Sequence, residues 1–272
     1  MADSNALIAQ LRAIAAPRSG RVSDSAGPDD WLMQGAPAAQ LHEIYGMEAE
    51  DGPAATGFAV ALALAGQKQG DTTAIGPVAA PILWVRQQGR GYGRLHATGL
   101  LDLGFAPDAL VLAEVPDPAA LLRVAADAAR CPGLGTVIVE THGRVPGLDL
   151  TATRRLMLAA EASGVTVLSV RLAAQVEPSA AASRWGIAAM PSRTLPGDVF
   201  GTPAPGRPAF LVECLRRRGG PAGTRWPVEW NRETRHFVTL PAQETALPGA
   251  GLPLVADRAV ARDPAPSVRR AG

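Results

Sequence analysis

The sequence predicts an α/β fold: a mainly parallel central sheet flanked by helices, with an antiparallel edge added on the C-terminal side. Three observations predict it. Between Leu41 and Val170, short continuous apolar runs such as ILWVRQ and TVIVET alternate with helix-like segments, the pattern of strands buried on both faces. Beyond Val170 the apolar runs continue with no helix between them, the grammar of an antiparallel addition. Apolar residues make up 47% of the 272, enough to build a core of that size.

The chain opens with MADSNALIAQLRAIAA, residues 1–16, read as a separable amphipathic helix whose apolar stripe is Leu7, Ile8, Leu11 and Ile14. Asp3 and Arg12 interrupt it and argue against a signal sequence. Residues 17–30 are rich in Gly, Pro, Ser and Asp and read as a linker. A domain over residues 31–240 follows, beginning with the strand HEIYG and a helix over about 54–68. Then come ILWVRQ at 82–87, a short helix near 95–103, and ALVLAE at 109–114. Asp117 and Pro118 supply an N-cap and a first helical proline for a helix over 118–130, which stops before Pro132 and Gly133. TVIVET at 136–141 precedes a helix over 151–163 that Thr151 is expected to cap. Leu156, Ala159, Ala160 and Ser163 line one face of that helix, Gly164 ends it, and VTVLSV at 165–170 closes the alternating part. AFLVECL at 209–215, RWPVEW at 225–230 and RHFVTL at 235–240 are the later strands, the last two joined by a turn at 231–234. Trp226, Val228 and Trp230 share one strand face and are expected in the core. Residues 241–272 lack periodicity and are expected to be disordered or to order only on a partner.

Twenty-six basic against 25 acidic residues leave a formal charge of +1, so no global field favours nucleic acid or a membrane. The longest apolar runs fall well short of the roughly 20 residues a spanning helix needs. These features read as a soluble cytoplasmic protein. Cys131 and Cys214 lie in no CxxC pair and are expected as small buried hydrophobes. Histidines 42, 96, 142 and 236 are scattered without metal-ligand spacing, so no metal and no cofactor is expected.

The loop after HEIYG carries the chemical question. A phosphate loop of the GxxxxGK[ST] type gathers backbone N–H groups around phosphates, with a lysine on them and a hydroxyl on magnesium. Here five residues, not four, separate Gly46 from Gly52, and Pro53 and Ala54 stand where the lysine and hydroxyl belong. Proline removes a donor as well as the cation, and Glu48, Glu50 and Asp51 bring negative charge to the place of the phosphates. Thr56 is the one hydroxyl a shifted register would offer to magnesium. Glu140, ending an apolar strand, stands where NTPases of this layout carry a magnesium-binding acid, or it is a polar strand end facing a cleft. ILWVRQ ends in Arg86 and Gln87, so a water-activating glutamate is missing there.

LHEIYG before the loop, TVIVET on a central strand and GVTVLSV after a helix together resemble a RecA-type core. SRWGIAAMPS at 183–192, FLVECLRRRGG at 210–220 and RWPVEWNRETRHF at 225–237 narrow the match. Over residues of about 5–240 the chain resembles the ImuA family, RecA-like and SulA-like accessory proteins of the bacterial damage-inducible mutagenesis cassette. The resemblance implies a non-catalytic role in error-prone translesion synthesis and the SOS response. It also implies an ImuB-like partner, an inactive relative of Y-family polymerases, and indirectly a second, C-family DNA polymerase. Two alternatives stay open: an atypical ATPase using Thr56 and Glu140, and a DNA-binding scaffold or filament.

Single-stranded DNA contact is expected at Arg90, Tyr92 and Arg94 of RGYGR and at Arg216, Arg217 and Arg218, where arginines can follow a phosphate backbone and Tyr92 can stack. The segment over 171–200 stands where RecA-like proteins carry flexible loops lining a DNA channel. Trp185, read as part of a loop, is the expected partner anchor. Leu7 and Leu11 are the expected contacts for a partner or for self-association, as a preceding helix docks in RecA-type assemblies.

Overall fold

The computed structural model describes residue 32 and residues 37–67, 80–89, 93–195, 204–218 and 222–241. Leu7, Leu11, Arg90 and Tyr92, the helix over 1–16, the linker over 17–30 and residues 242–272 lie outside the described residues. The strands are β1 (Leu41–Gly46), β2 (Ile82–Gln87), β3 (Leu110–Val115), β4 (Thr136–His142), β5 (Thr166–Leu172) and β6 (Ser183–Met190), then the short β7 (Thr194–Leu195) and β8 (Ala204–Pro205), then β9 (Ala209–Arg217), β10 (Arg225–Asn231) and β11 (His236–Thr239). The helices are α1 (Gly52–Gly66), α2 (Ala97–Asp102), α3 (Pro118–Ala128) and α4 (Leu150–Ser163).

Among the described residues one sheet runs in the order β11-β10-β9-β6-β1-β5-β4-β2-β3. Strands β1 to β6 pair in parallel, and β9, β10 and β11 extend the β6 side in antiparallel fashion. The class, the mainly parallel centre and the antiparallel C-terminal edge are those the sequence predicts. The strands holding SRWGIAAM, AFLVECLRR and RWPVEWN are β6, β9 and β10, immediate neighbours in the sheet.

Alternation along each strand divides the core in two. On one face α1, almost wholly apolar and small, packs against Ile44, Leu168, Val170, Trp185 and Ile187. Its Phe58 reaches the antiparallel half, edge-on to Phe210 at 5.8 Å between ring centroids and 5.1 Å from Phe237. Trp226, Val228 and Trp230 join that core as expected. On the other face α3 and α4 cover Leu41, Val85, Val137, Val139 and Val167.

The helix ends follow their caps. The Asp117 side chain accepts from Ala120 N at 2.8 Å and Pro118 opens α3. For α4 the cap is Asp149, whose carboxylate accepts from Ala152 N at 2.8 Å, and not Thr151; the helix starts one residue earlier than its hydrophobic period suggests. Gly164 ends it in the left-handed region at φ 82°.

Strands β5 and β6 flank β1 on opposite sides and both run parallel to it, so their connection must cross β1. It does so over residues 173–182 as a strap without a helix. Arginines take the helix's place in satisfying the strap's carbonyls. Arg184 Nη2 donates to Glu177 O at 2.6 Å, and Arg216 Nη1 to Ser179 O and Ala181 O at 3.3 and 3.2 Å. The Thr153 hydroxyl of α4 accepts from Ala180 N at 3.1 Å.

Two sequence expectations are corrected here. The described part of residues 171–200 is not one flexible loop: over 171–195 it holds the end of β5, the strap, β6 inside the sheet and the short β7. Trp185 lies on β6, fully buried, with its Nε1–H donating to Ser183 Oγ at 2.7 Å, so it is core and not an exposed anchor. The segment stands where RecA-like proteins carry loops, but alternation along β6 puts Arg184 on one face and Trp185 on the other. Cys214 is buried as expected, whereas Cys131 is exposed just past α3.

Candidate functional site

The loop between β1 and α1 turns within its own hydrogen bonds. A Cβ on Gly46 would lie 3.1 Å from Glu48 O and 3.3 Å from Gly52 N, so only glycine lets the strand fold back so tightly. A short 3-10 turn, Ala49–Asp51, leads into α1. Asp51 is buried and spends both carboxylate oxygens internally: Oδ2 accepts from Glu48 N at 3.1 Å, and Oδ1 accepts from Ala189 N of β6 at 2.8 Å. A backbone donor that a phosphate loop would turn to a nucleotide is thus taken by a side-chain carboxylate. Glu48, Glu50 and Pro53 are exposed, and Thr56 is half-buried one turn into α1.

Glu140 lies on the α1 face, two strands from β1, level with Ile44 through Val170. It is buried, with Trp84 Nε1 donating to Oε2 at 3.0 Å and Arg86 Nη2 3.6 Å from Oε1. His142 Nε2 stands 3.6 Å from the same Oε1, and Arg86 also donates to Gly93 O at 3.0 Å. The Arg86 guanidinium compensates the buried carboxylate charge. A cation at Glu140 would compete with the Trp84 indole and the Arg86 guanidinium for its oxygens. Among the described residues no three His, Cys, Asp or Glu side chains are grouped to hold a metal.

The expected DNA contacts are not brought together. Arg94 is exposed beyond the C-terminal end of β2, whereas Arg216 and Arg217 end β9, with Arg218 just past it, and β9 runs the other way and sits beside the start of β6. Arg216 and Arg218 are exposed, Arg217 is half-buried, and Arg216 is engaged by the strap. A cavity of about 850 Å³ lies apart from the loop, between Asp102, Trp230 and Arg232, with Glu229 between Arg193 and Arg207 at 3.8 and 3.6 Å.

A buried polar cluster on the opposite face escaped the sequence reading. Glu43 and Tyr45 of β1 stand directly opposite Ser169 and Arg171 of β5, and all four are buried. Arg184 closes on Glu43 with Nε and Nη2 at 2.9 and 2.8 Å from Oε2, and the Ser179 hydroxyl donates to the same oxygen at 2.7 Å. Arg171 and Arg184 each place their guanidinium carbon 5.8 Å from the centre of the Tyr45 ring. Burial first, then the Glu43 charge, push the Tyr45 hydroxyl pKa up. The signal was present as charged residues inside apolar strands, LHEIYG, TVLSVRL and SRWGI, but their pairing needs the strand order.

The chain is 34% identical over 199 residues to Protein ImuA of Caulobacter vibrioides strain NA1000 / CB15N, covering 70% of this chain and 74% of that protein. The chain belongs to the ImuA family. Protein ImuA of Caulobacter vibrioides strain ATCC 19089 / CIP 103742 / CB 15 matches with the same identity and coverage. No family model matches the chain. Among solved structures it is similar to the RadB recombinase, at 14% identity and a TM-score of 0.47, over 80% of this chain and 98% of that one. Within this ImuA-family chain, the three segments that carried the resemblance lie in β6, β9, β10 and β11, side by side in the sheet. None of the described helices is long and apolar enough to cross a membrane.

Proposed function

We propose that the protein is a non-catalytic, RecA-like accessory factor. It supports error-prone translesion DNA synthesis in the SOS response through contacts with an ImuB-like protein, and through that protein with a C-family polymerase, in the cytoplasm. Family membership supports the setting. One observation carries the non-catalytic part: Asp51 ties Glu48 N and Ala189 N into a closed loop that also lacks the phosphate lysine. Arg86 and Trp84 hold Glu140 in the same sense.

Calorimetric titration with Mg-ATP, with and without single-stranded DNA, followed by phosphate release on the same sample, tests this reading. No heat of binding and no turnover are expected. Saturable binding with hydrolysis that Glu140→Gln abolishes would replace it with an atypical ATPase. The partner contact is tested by co-elution with an ImuB-like protein, expected to weaken on removal of residues 241–272 or on replacing Leu7 and Leu11 with Ser. An intact complex after both changes would put the contact elsewhere.

A second reading, weak DNA contact, is favoured by the exposure of Arg94, Arg216 and Arg218. It requires single-strand binding that falls steeply with salt and weakens in Arg90→Ala with Arg94→Ala.

A further inference from the structure

Beneath the strap is a cation that the chain leaves half-engaged. Arg171 is 2% exposed, and its Nε and Nη2, the two donors along one edge of the guanidinium, meet no acceptor at hydrogen-bond distance. The carboxylates facing it stand off, with Glu177 Oε2 3.6 Å from Nη2 and Glu43 Oε1 3.9 Å from Nη1. Arg184, on the same Glu43, closes to 2.8 Å, the distance of a seated charge-assisted pair. Glu43 is thus committed to Arg184 through Oε2, and its Oε1 is also without a hydrogen bond.

We infer that Arg171 is a carboxylate-receiving site, covered in the free chain by Glu177 and taken over by a Glu or Asp side chain of an acidic partner segment. The fork is preorganised, because Arg171 lies against the Tyr45 ring and on the rigid strand β5, so a ligand need not order it. The cover is exchangeable. Glu177 belongs to the strap without regular structure, its side chain is 39% exposed, and it sits 3.7 Å from Arg144, which is itself 89% exposed. Glu177 gives up a solvent-screened pair with Arg144 and a stand-off pair with Arg171 that makes no hydrogen bond, a smaller loss than the two-point contact a carboxylate gains on the buried fork. Val176, exposed beside Glu177, offers the arriving segment an apolar neighbour.

The chemistry favours a carboxylate over a phosphate. The chain's own occupant is a carboxylate, and the buried Glu43 charge 3.9 Å from Nη1 opposes a dianion more strongly than a monoanion.

The test uses the full chain with Glu177→Ala, and acetate as the probe against chloride at constant ionic strength. The readouts are the Arg171 Nε–H resonance and the melting temperature. In Glu177→Ala acetate should shift that resonance saturably, with affinity about tenfold above the unaltered chain, because the internal competitor is gone. Arg144→Gln in the same background should weaken the response about twofold, and Arg171→Lys should abolish the saturable rise in melting temperature. A hexaglutamate peptide should move the same resonance in the unaltered chain. Equal acetate responses with and without Glu177, an Arg144→Gln response that is unchanged, or a peptide that leaves the resonance in place would each overturn the proposal. Inorganic phosphate acting more strongly than acetate would overturn the carboxylate assignment and point to a phosphate ligand. Should Arg171→Lys fail to fold, the Arg144→Gln comparison and the resonance decide the matter.

Discussion

His42 of β1 shows how one buried residue can have its hydrogen-bonding state set by its neighbours. Its Nε2 lies 3.2 Å from Pro37 O, which only accepts, and its Nδ1 lies 2.7 Å from Ser183 Oγ, which already accepts from the Trp185 indole. The neutral tautomer with the proton on Nε2 is therefore the one that satisfies every group. Burial pushes the imidazole down to about 4 from the ordinary 6.5, against the opposing pull of the Pro37 carbonyl. Between these values the unfolded chain takes up a proton that the folded chain refuses, so stability is full above pH 6.5 and falls as the pH drops toward 4. The loss at the lower end is on the order of 3 kcal/mol. Denaturant melts at pH 7 and pH 5 should show about 2 kcal/mol of it, and His42→Gln should flatten the difference. Glu43 makes a second residue-scale case. Glu43→Gln leaves Arg184 without its carboxylate and Arg171 with Glu177 alone, and denaturant melts should show a loss of about 3 kcal/mol or more. Replacing Glu43 and Arg184 together by Met and Leu should cost less than the two single changes summed.

At the scale of elements, caps and straps decide where regular structure begins. Because Asp149 and not Thr151 accepts from the first turn of α4, Asp149→Ala should lower stability by about 1 kcal/mol, while Thr151→Ala should change it by a few tenths. Two melting curves separate the assignments. The loop before α1 obeys the same accounting of backbone donors. Removing the Asp51 carboxylate strands Ala189 N and Glu48 N, and Asp51→Ala should cost about 1–3 kcal/mol by denaturant melt while leaving the sheet intact by circular dichroism. Much of this level was legible in the sequence. The Asp117-Pro118 pair, Gly164 and the strand–helix alternation act through near neighbours, so local pattern suffices to find them. Thr151 misled because a hydroxyl at a helix start is a generic signal, and the competing carboxylate two residues earlier wins on charge as well as position.

On the scale of the molecule, the parallel and antiparallel halves share one apolar core through α1. Phe58 on α1 touches Phe210 of β9 and Phe237 of β11, while its neighbours pack on β1 and β5. Truncating it to Ala removes contacts from both halves and should cost about 3–5 kcal/mol. The halves should nevertheless unfold together: Trp84 reports on the parallel strands, Trp226 and Trp230 report on the antiparallel side, and Trp185 sits on β6 where the two meet, all in the same cluster. Fluorescence and far-ultraviolet circular dichroism should therefore give coincident denaturant transitions in the unaltered chain and in Phe58→Ala. Separate transitions would mean that α1 does not couple the halves.

The α/β class, the parallel centre with its antiparallel extension, most helix ends, and the absence of the lysine and hydroxyl from the loop after β1 are all readable along the chain. Each of these depends on residue type and short-range spacing, and the forces behind them act within a few residues. Tertiary structure alone decided that Trp185 is buried, that Arg86 answers Glu140, that Arg94 and Arg216 lie at different ends of the sheet, and that Glu43 meets Arg184 from 141 positions away. A charge inside an apolar strand announces that a partner must exist. Which partner it finds is set by the order in which the strands lie side by side, and that order is a property of the folded chain.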